Sequence, residues 1–222
     1  MIVAVDGPAG AGKSSVCADV CKKMGWTYVN TGILYRAIAY LLDQRALSEP
    51  NENELSMVIE DFKNHYRWEP ESQSLFYKEE NITEKLGTAK MGLMASRVGG
   101  LALVREKLLP LQRALSLKSP VGAIVDGRDI GTVVFPDADL KIYMTASLEE
   151  RARRRMQQLG QGAEFETIKS EIYKRDQKDQ GRDAAPLMQA KDALVFDTSK
   201  MGVETAVESL TSLIKEKLKI LS

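Results

Sequence analysis

A short apolar run, Ile2 to Val5, ends at Asp6 and gives way to Gly7-Pro8-Ala9-Gly10-Ala11-Gly12-Lys13-Ser14, after which Lys13 to Met24 reads as a helix. This junction constrains the fold more than anything else in the chain. It fits the pattern G-x-x-x-x-G-K-[ST] in full, with a strand before it and a helix after it. Glycines let the backbone curl so that several N–H groups face one anion. The helix N-terminus adds a partial positive charge at the same place. Gly7, Pro8, Ala9, Gly10, Ala11, Gly12, Lys13, Ser14 and the adjoining Ser15 are therefore candidate triphosphate-binding residues. Lys13 would reach the β- and γ-phosphates, and the Ser14 hydroxyl would ligate Mg²⁺. The plain alternative, a glycine-rich turn with a chance lysine, does not explain all eight positions. The motif names a nucleoside triphosphate with magnesium and leaves the acceptor open among kinases, GTPases and motor ATPases.

The rest of the chain alternates strands and helices. A short strand is expected at Thr27 to Val29, buried strands at Val121 to Val125 and Leu140 to Met144, and a last strand at Leu194 to Phe196. Helices are expected over Ile33 to Arg45, from an Asn51 cap to about Phe62 with Glu54 completing a capping box, and over Leu93 to Leu117 as one or two helices. Gly99-Gly100 or Pro110 would break that last stretch. Ser147 starts a basic helix, Gly160-Gln161-Gly162 interrupts it, Glu164 to Gln180 resumes, and Val203 to Ile220 ends the chain as a helix. His65 to Glu69 and Ser74 to Lys78 read as small antiparallel strands, with Asn81-Ile82-Thr83 as a candidate third. The pattern implies a parallel α/β sheet covered on both faces, with residues of about 65–95 inserted into it.

Composition removes several function classes. Lysine plus arginine equals aspartate plus glutamate, 31 each, so bulk attraction to nucleic acid or an anionic membrane is not the binding principle. One histidine, His65, makes a histidine-rich metal cluster or a Ser-His-Asp triad improbable. Cys17 and Cys21 lack zinc or redox spacing and read as small buried apolar groups. No run approaches ~18 apolar residues, and no basic leader precedes the first strand. A cytoplasmic protein, monomeric, with no nucleic-acid or membrane partner, is the expectation.

Arginines gather late in the chain. Arg151, Arg153, Arg154 and Arg155 fall within five residues, flanked by Arg128, Arg175 and Arg182, with Arg36 and Arg105 upstream. A charged run is commonly a solvated helix face. Placed after a strand and before a glycine break, it could instead close over a triphosphate, since arginine is always charged and bidentate toward phosphate oxygens. An alcohol acceptor needs an aspartate to take its proton. A phosphate acceptor, with a second pKa near ~6, does not. Its difficulty is repulsion, roughly 4 kcal/mol between unit charges at 4 Å and an effective dielectric of 20. Many arginines and one histidine favour the phosphate acceptor.

Several segments resemble bacterial cytidylate kinases. They are Asp6 to Ser15, Thr31-Gly32-Ile33-Leu34-Tyr35-Arg36, the run from Asp126-Gly127-Arg128-Asp129 through Phe135-Pro136-Asp137-Ala138, and Ala146 to Arg155. Arg175-Asp176, Asp179, Arg182 and Ala185-Pro186-Leu187 complete the match. The resemblance runs end to end. It implies a P-loop NTPase-type α/β fold, a parallel five-stranded sheet flanked by helices, as a single kinase domain. The core would take about 1–62, 96–150 and 190–222, with a monophosphate-binding insert at about 63–95 and a helical lid at about 151–189. It implies transfer of the ATP γ-phosphate to CMP or dCMP with Mg²⁺. Lys13, Arg128, Arg175, Arg151 and Arg155 would be catalytic. Thr31, Arg36, Ser96, Arg105, Arg128, Asp129, Arg175, Asp179 and Arg182 would bind CMP. Thr31 stands where the family often has serine, and the hydroxyl survives.

Cytosine chemistry agrees with Asp129 and Arg105. A carboxylate accepts from the N4 amino group, and an arginine donates to N3 and O2. Uracil reverses that pattern and would leave buried groups unpaired. Each residue also has a plainer reading: Arg36 on a helix surface, Ser96 as small packing, Asp129 capping a turn, Asp126 holding the loop or water-linked to Mg²⁺, and Asp179–Arg182 as a surface ion pair. UMP, AMP or an alcohol remain alternative acceptors. A nucleotide-switch or regulatory ATPase is the rival from another class, although an N-K-x-D guanine motif is lacking.

Overall fold

Apolar runs too short for anything but strands assemble into a five-stranded sheet in the computed structural model, which describes residues 1–117, 119–160 and 164–221. The strands are β1 (Ile2–Asp6), β2 (Thr27–Asn30), β6 (Ala123–Gly127), β7 (Leu140–Thr145) and β8 (Leu194–Asp197), in the order β2-β6-β1-β7-β8. β1 is central and parallel to both neighbours, with Val3 opposite Ile124 on one side and Leu140 on the other. β8 continues the parallel register, Ile142 opposite Leu194. A parallel strand with neighbours on both sides and helices on both faces has no polar side, which is why these segments read as continuous apolar runs.

The remaining helices and strands follow in chain order. α1 (Lys13–Met24), α2 (Gly32–Gln44) and α3 (Glu52–His65) precede a hairpin sheet of β3 (Tyr66–Glu69), β4 (Ser74–Tyr77) and β5 (Glu80–Asn81). Then come α4 (Thr83–Leu86), α5 (Ala89–Val98), α6 (Ala102–Ser116), α7 (Leu148–Leu159), α8 (Phe165–Gln180) and α9 (Val203–Leu221). The capping box expected at Asn51 is present. The Asn51 side chain accepts from Asn53 and Glu54 N–H, and Glu54 accepts from Asn51 N–H at 2.9 Å. The α5–α6 break falls at Gly99–Leu101, while Pro110 is accommodated inside α6. The third hairpin strand is only two residues long. Thr83, expected in it, instead starts α4, its N–H held by Asn81 Oδ1 and its hydroxyl accepting from Leu75 N–H. Helix α7 stops at Gly160, whose φ of 76° favours glycine. Gln161 and Gly162 of the expected break lie outside the described residues.

The chain divides into two compact units, 1–29 with 116–222, and 30–115. In the first, α1 and α9 pack on the sheet around Val3, Val5, Val16, Ile142, Met144 and Leu210. Cys17 and Cys21 lie in that core as buried free thiols, as expected. In the second, α2 packs on α3 and α5, burying Leu34, Ile38, Ile59 and Phe62. This unit is wider than residues 63–95. Within it α3, α4 and α5 gather on α2. Among the described residues no helix is long and apolar enough to cross a membrane.

Candidate active site

The first unit's site begins at the C-terminal end of β1. Gly7 takes φ 149°, Gly10 φ 79° and Gly12 φ 89°. At Gly7 the choice is forced, because a Cβ would sit 1.9 Å from the Met144 carbonyl oxygen. The loop from Gly7 through Gly12 thus curls over the start of α1, whose first residues are Lys13, Ser14 and Ser15. Lys13 is buried and donates to the carbonyls of Gly7 (2.7 Å) and Pro8 (2.8 Å). Burial, followed by the nearby Arg128 cation, lowers its pKa to about 7. Ser14 donates to Asp126 Oδ2 at 3.0 Å, and the Tyr28 hydroxyl donates to the same oxygen at 2.9 Å. Burial raises the Asp126 pKa. Asp126 therefore holds the loop, one of the two readings its position allowed. An exposed hydroxyl beside a carboxylate is a hard-oxygen donor pair of the kind Mg²⁺ takes. Among the described residues no group of three His, Cys, Asp or Glu side chains gathers.

Two other arms reach this loop. Arg151 is buried and donates from Nε to Ala146 O at 3.0 Å and from Nη1 to Ala9 O at 3.1 Å and Asp176 Oδ2 at 2.5 Å. Arg154 binds the Thr198 hydroxyl and carbonyl, and Thr198 in turn donates to Ala11 O at 3.0 Å. Arg155 donates to Gln158 on its own helix. Of the run 151–155, the residues tied to the phosphate loop are thus Arg151 directly and Arg154 through Thr198. A helical face shared by 151 and 155 did not decide this; the reach of each side chain to a loop carbonyl did.

Three acceptor-side candidates of this unit, Arg128, Asp179 and Arg182, also converge. Asp179 is 1% exposed, accepting from Arg128 Nε at 3.0 Å and Arg182 Nη2 at 2.5 Å. The reading of Asp179–Arg182 as a surface pair is corrected here: Arg182 keeps only 8% of its side chain exposed. Arg128 also donates to Gly127 O. Arg175 is half-buried one residue before Asp176, and Asp129 is buried.

The second unit holds its own group. Thr31 and Ser96 are buried. Arg36 on α2 donates to Leu86 O at 2.5 Å and Thr88 O at 3.3 Å, so it is anchored rather than splayed on a helix surface. Arg105 on α6 donates to Gly99 O at 3.0 Å and stands over the Tyr35 ring, 5.6 Å from its centre. Tyr35 receives a bond from the buried Gln112 at 2.9 Å. Residue-by-residue reading missed Gln112, Thr198 and Tyr28 and gave Asp176 no role of its own. Each is tied to a partner far away in sequence: Tyr35, Ala11, Asp126 and Arg151 respectively.

A parallel sheet whose central strand runs into a glycine-rich loop, with a buried lysine and a hydroxyl at the helix start, defines a nucleotide-binding protein of the P-loop class. The sequence profile of the cytidylate kinase family matches residues 3–216. The cytidylate kinase of Carboxydothermus hydrogenoformans is 40% identical over 226 residues, covering 100% of both chains. That of Magnetococcus marinus is 41% identical over 97% of this chain and 96% of its own. The chain belongs to the cytidylate kinase family. A solved structure of an uncharacterized protein from Eubacterium ventriosum aligns at a TM-score of 0.55 and 10% identity, covering 97% of this chain and 98% of that one, a likeness of fold alone.

Proposed function

We propose that this enzyme is a nucleoside monophosphate kinase that transfers the γ-phosphate of ATP to the 5′-phosphate of CMP or dCMP, giving CDP or dCDP. The observation that carries the reading is the arginine presence at the phosphate loop, where Arg151 bonds a loop carbonyl and Arg128 lies close enough to Lys13 to lower its pKa. Arg151 touches the loop itself, and Arg128 and Arg182 flank the buried Asp179. The acceptor phosphate is already a nucleophile at neutral pH, so the chain's task is positioning and charge stabilisation. Lys13 swings from the Gly7 and Pro8 carbonyls to the β- and γ-phosphates. On this reading Arg128 and Arg175 serve the acceptor phosphate, Asp179 and Arg182 the sugar and Asp129 the base, while in the second unit Arg36 serves the acceptor phosphate, Ser96 and Arg105 the base, and Thr31 is a further CMP ligand. Arg151 and Arg155 belong to a lid over residues 151–189 that closes on the triphosphate and suppresses hydrolysis. Ser14 would ligate Mg²⁺, with Asp126 behind it, and the ion would neutralise charge between the β- and γ-oxygens. The enzyme works in the cytoplasm as a monomer, on nucleotides alone.

A panel of CMP, dCMP, UMP, AMP and shikimate with coupled ADP detection tests the reading. CMP and dCMP are expected to turn over far faster than the others. UMP or an alcohol turning over faster than CMP, or ADP release independent of any acceptor, would overturn it.

A further inference from the structure

Asp6 ends β1 one residue before the phosphate loop, and the transfer chemistry gives it no task. Its carboxylate is 4% exposed and accepts two backbone hydrogen bonds, Oδ1 from Ile130 N–H and Oδ2 from Gly131 N–H, both at 2.7 Å. These amides follow directly on Arg128 and Asp129. The turn they open is wide. Val133 and Val134 N–H both reach back to Asp129 O at 2.9 and 3.2 Å, and Phe135 N–H reaches Ile130 O at 2.7 Å. The first amides of such a turn have no acceptor within it, and Asp6 supplies both. On its other side the turn meets Lys141, a buried lysine on β7 paired with Asp192. A Cβ at Gly131 would lie 3.1 Å from Lys141 Cδ and 3.4 Å from Asp6 Oδ2. The segment after Asp129 is thus clasped between the end of β1 and the stem of a β7 side chain.

Burying a carboxylate is costly unless its oxygens are well bonded, and a strand end could carry many residues at no such cost. Asp6 and Lys13 feel each other's charge, but the ammonium's hydrogen bonds go to the Gly7 and Pro8 carbonyls and the carboxylate's to the Ile130 and Gly131 amides. The geometry points to Asp6 as a positioning residue for acceptor recognition: its carboxylate fixes the backbone that presents Arg128 and Asp129, and ties that backbone to the phosphate loop one peptide away. This rests on the proposed function for the roles of Arg128 and Asp129, and on the structure alone for the clasp.

Asp6→Asn keeps the shape and one acceptor oxygen but sets an amide donor against the second N–H. In steady-state kinetics KM for CMP is expected to rise about tenfold, the scale of one lost charge-assisted hydrogen bond. The CMP-over-UMP preference is expected to fall several-fold, with KM for ATP within about twofold, because the phosphate-loop amides are not bonded to Asp6. Unchanged CMP kinetics, or ATP and CMP constants rising together, would overturn the positioning role. The clasp is also read without any variant or nucleotide. Scalar couplings across hydrogen bonds, from the Ile130 and Gly131 nitrogens to Asp6 Cγ, are expected in the wild-type NMR spectrum, and their absence sinks the inference whatever the enzyme phosphorylates. Couplings present in a wild-type protein that ignores CMP would overturn the functional reading instead and leave the clasp standing.

Discussion

Lys13 is the residue at which folding and function pull in opposite directions. Its side chain is buried at the start of α1, so its pKa falls to about 7, with burial the main cause and Arg128 the next. A bound triphosphate brings several negative charges to the same ammonium and raises that pKa again. Above pH 7, binding must then take up a proton. Calorimetric titration of ATP at pH 8 in buffers of different ionisation enthalpy is expected to show uptake of a large fraction of one proton, with affinity declining as pH rises from 7 to 9. Zero uptake would mean that Lys13 is already charged in the free protein. This residue and Ser14 were legible from spacing alone, because the loop is local: eight consecutive positions define it. Asp6 was visible only as the strand's boundary. Its partners are backbone amides 124 and 125 positions away, and backbone donors carry no sequence signature.

Between residue and fold stand the two helices that carry the arginine run. Ser147 caps α7, its hydroxyl accepting Glu150 N–H, and Ala152, Ile168 and Ile172 make a small apolar seam between α7 and α8. The seam is thin, so the buried pair Arg151–Asp176 weighs heavily on how these helices sit. Among the described residues Asp176 Oδ1 has no hydrogen-bond partner, and Oδ2 depends on Arg151. Breaking a buried pair by removing one member costs about 3–5 kcal/mol, while replacing both by apolar groups is often near neutral. Arg151→Met is expected to lower the unfolding free energy from urea melts by that order, and Arg151→Met with Asp176→Leu to recover most of it. A double variant as unstable as the single one would show that the lost bond to Ala9, and not the stranded carboxylate, sets the cost. The two helices were readable from their caps and periodicity. Their side-chain assignments were not: Arg155 shares a nominal face with Arg151 but bonds within its own helix. Pro110 likewise looked like a possible break, and α6 runs through it. The missing N–H and ring clash of an internal proline are local costs, which packing of Val104 and Leu108 in the same helix outweighs.

At the scale of the whole molecule, the sheet was legible because strands buried on both faces are mostly apolar, and β1, β6 and β7 are bounded by loops rich in turn formers. The hairpin of 66–81 was legible from alternation. The division into two compact units was not, because which helices gather around α2 depends on contacts far apart in sequence. Several ionisable groups are buried around the phosphate loop at once, so stability must vary with pH in a signed way. Burial raises Asp6 from its ordinary value to about 6. The folded state favours the protonated acid, so this contribution is complete below pH ~4 and is lost as pH rises through 6. Lys13 runs the other way. Its folded pKa of about 7 lies below the unfolded value of 10.5, so the folded state binds fewer protons between those limits and gains stability as pH rises from 7 toward 10.5. Lys13→Met removes that term and leaves the other groups in place. The stability difference between wild type and variant, from urea melts at pH 6 to 10, is expected to be flat below 7. Above 7 it should grow in favour of the wild type, approaching about 1.4 kcal/mol per pH unit. Saturating ATP should abolish the slope near pH 7 to 8, because the bound anion keeps the lysine charged. A difference that stays level to pH 10 without nucleotide would show that the ammonium is not destabilised by burial, and that the loop holds it charged in the free enzyme.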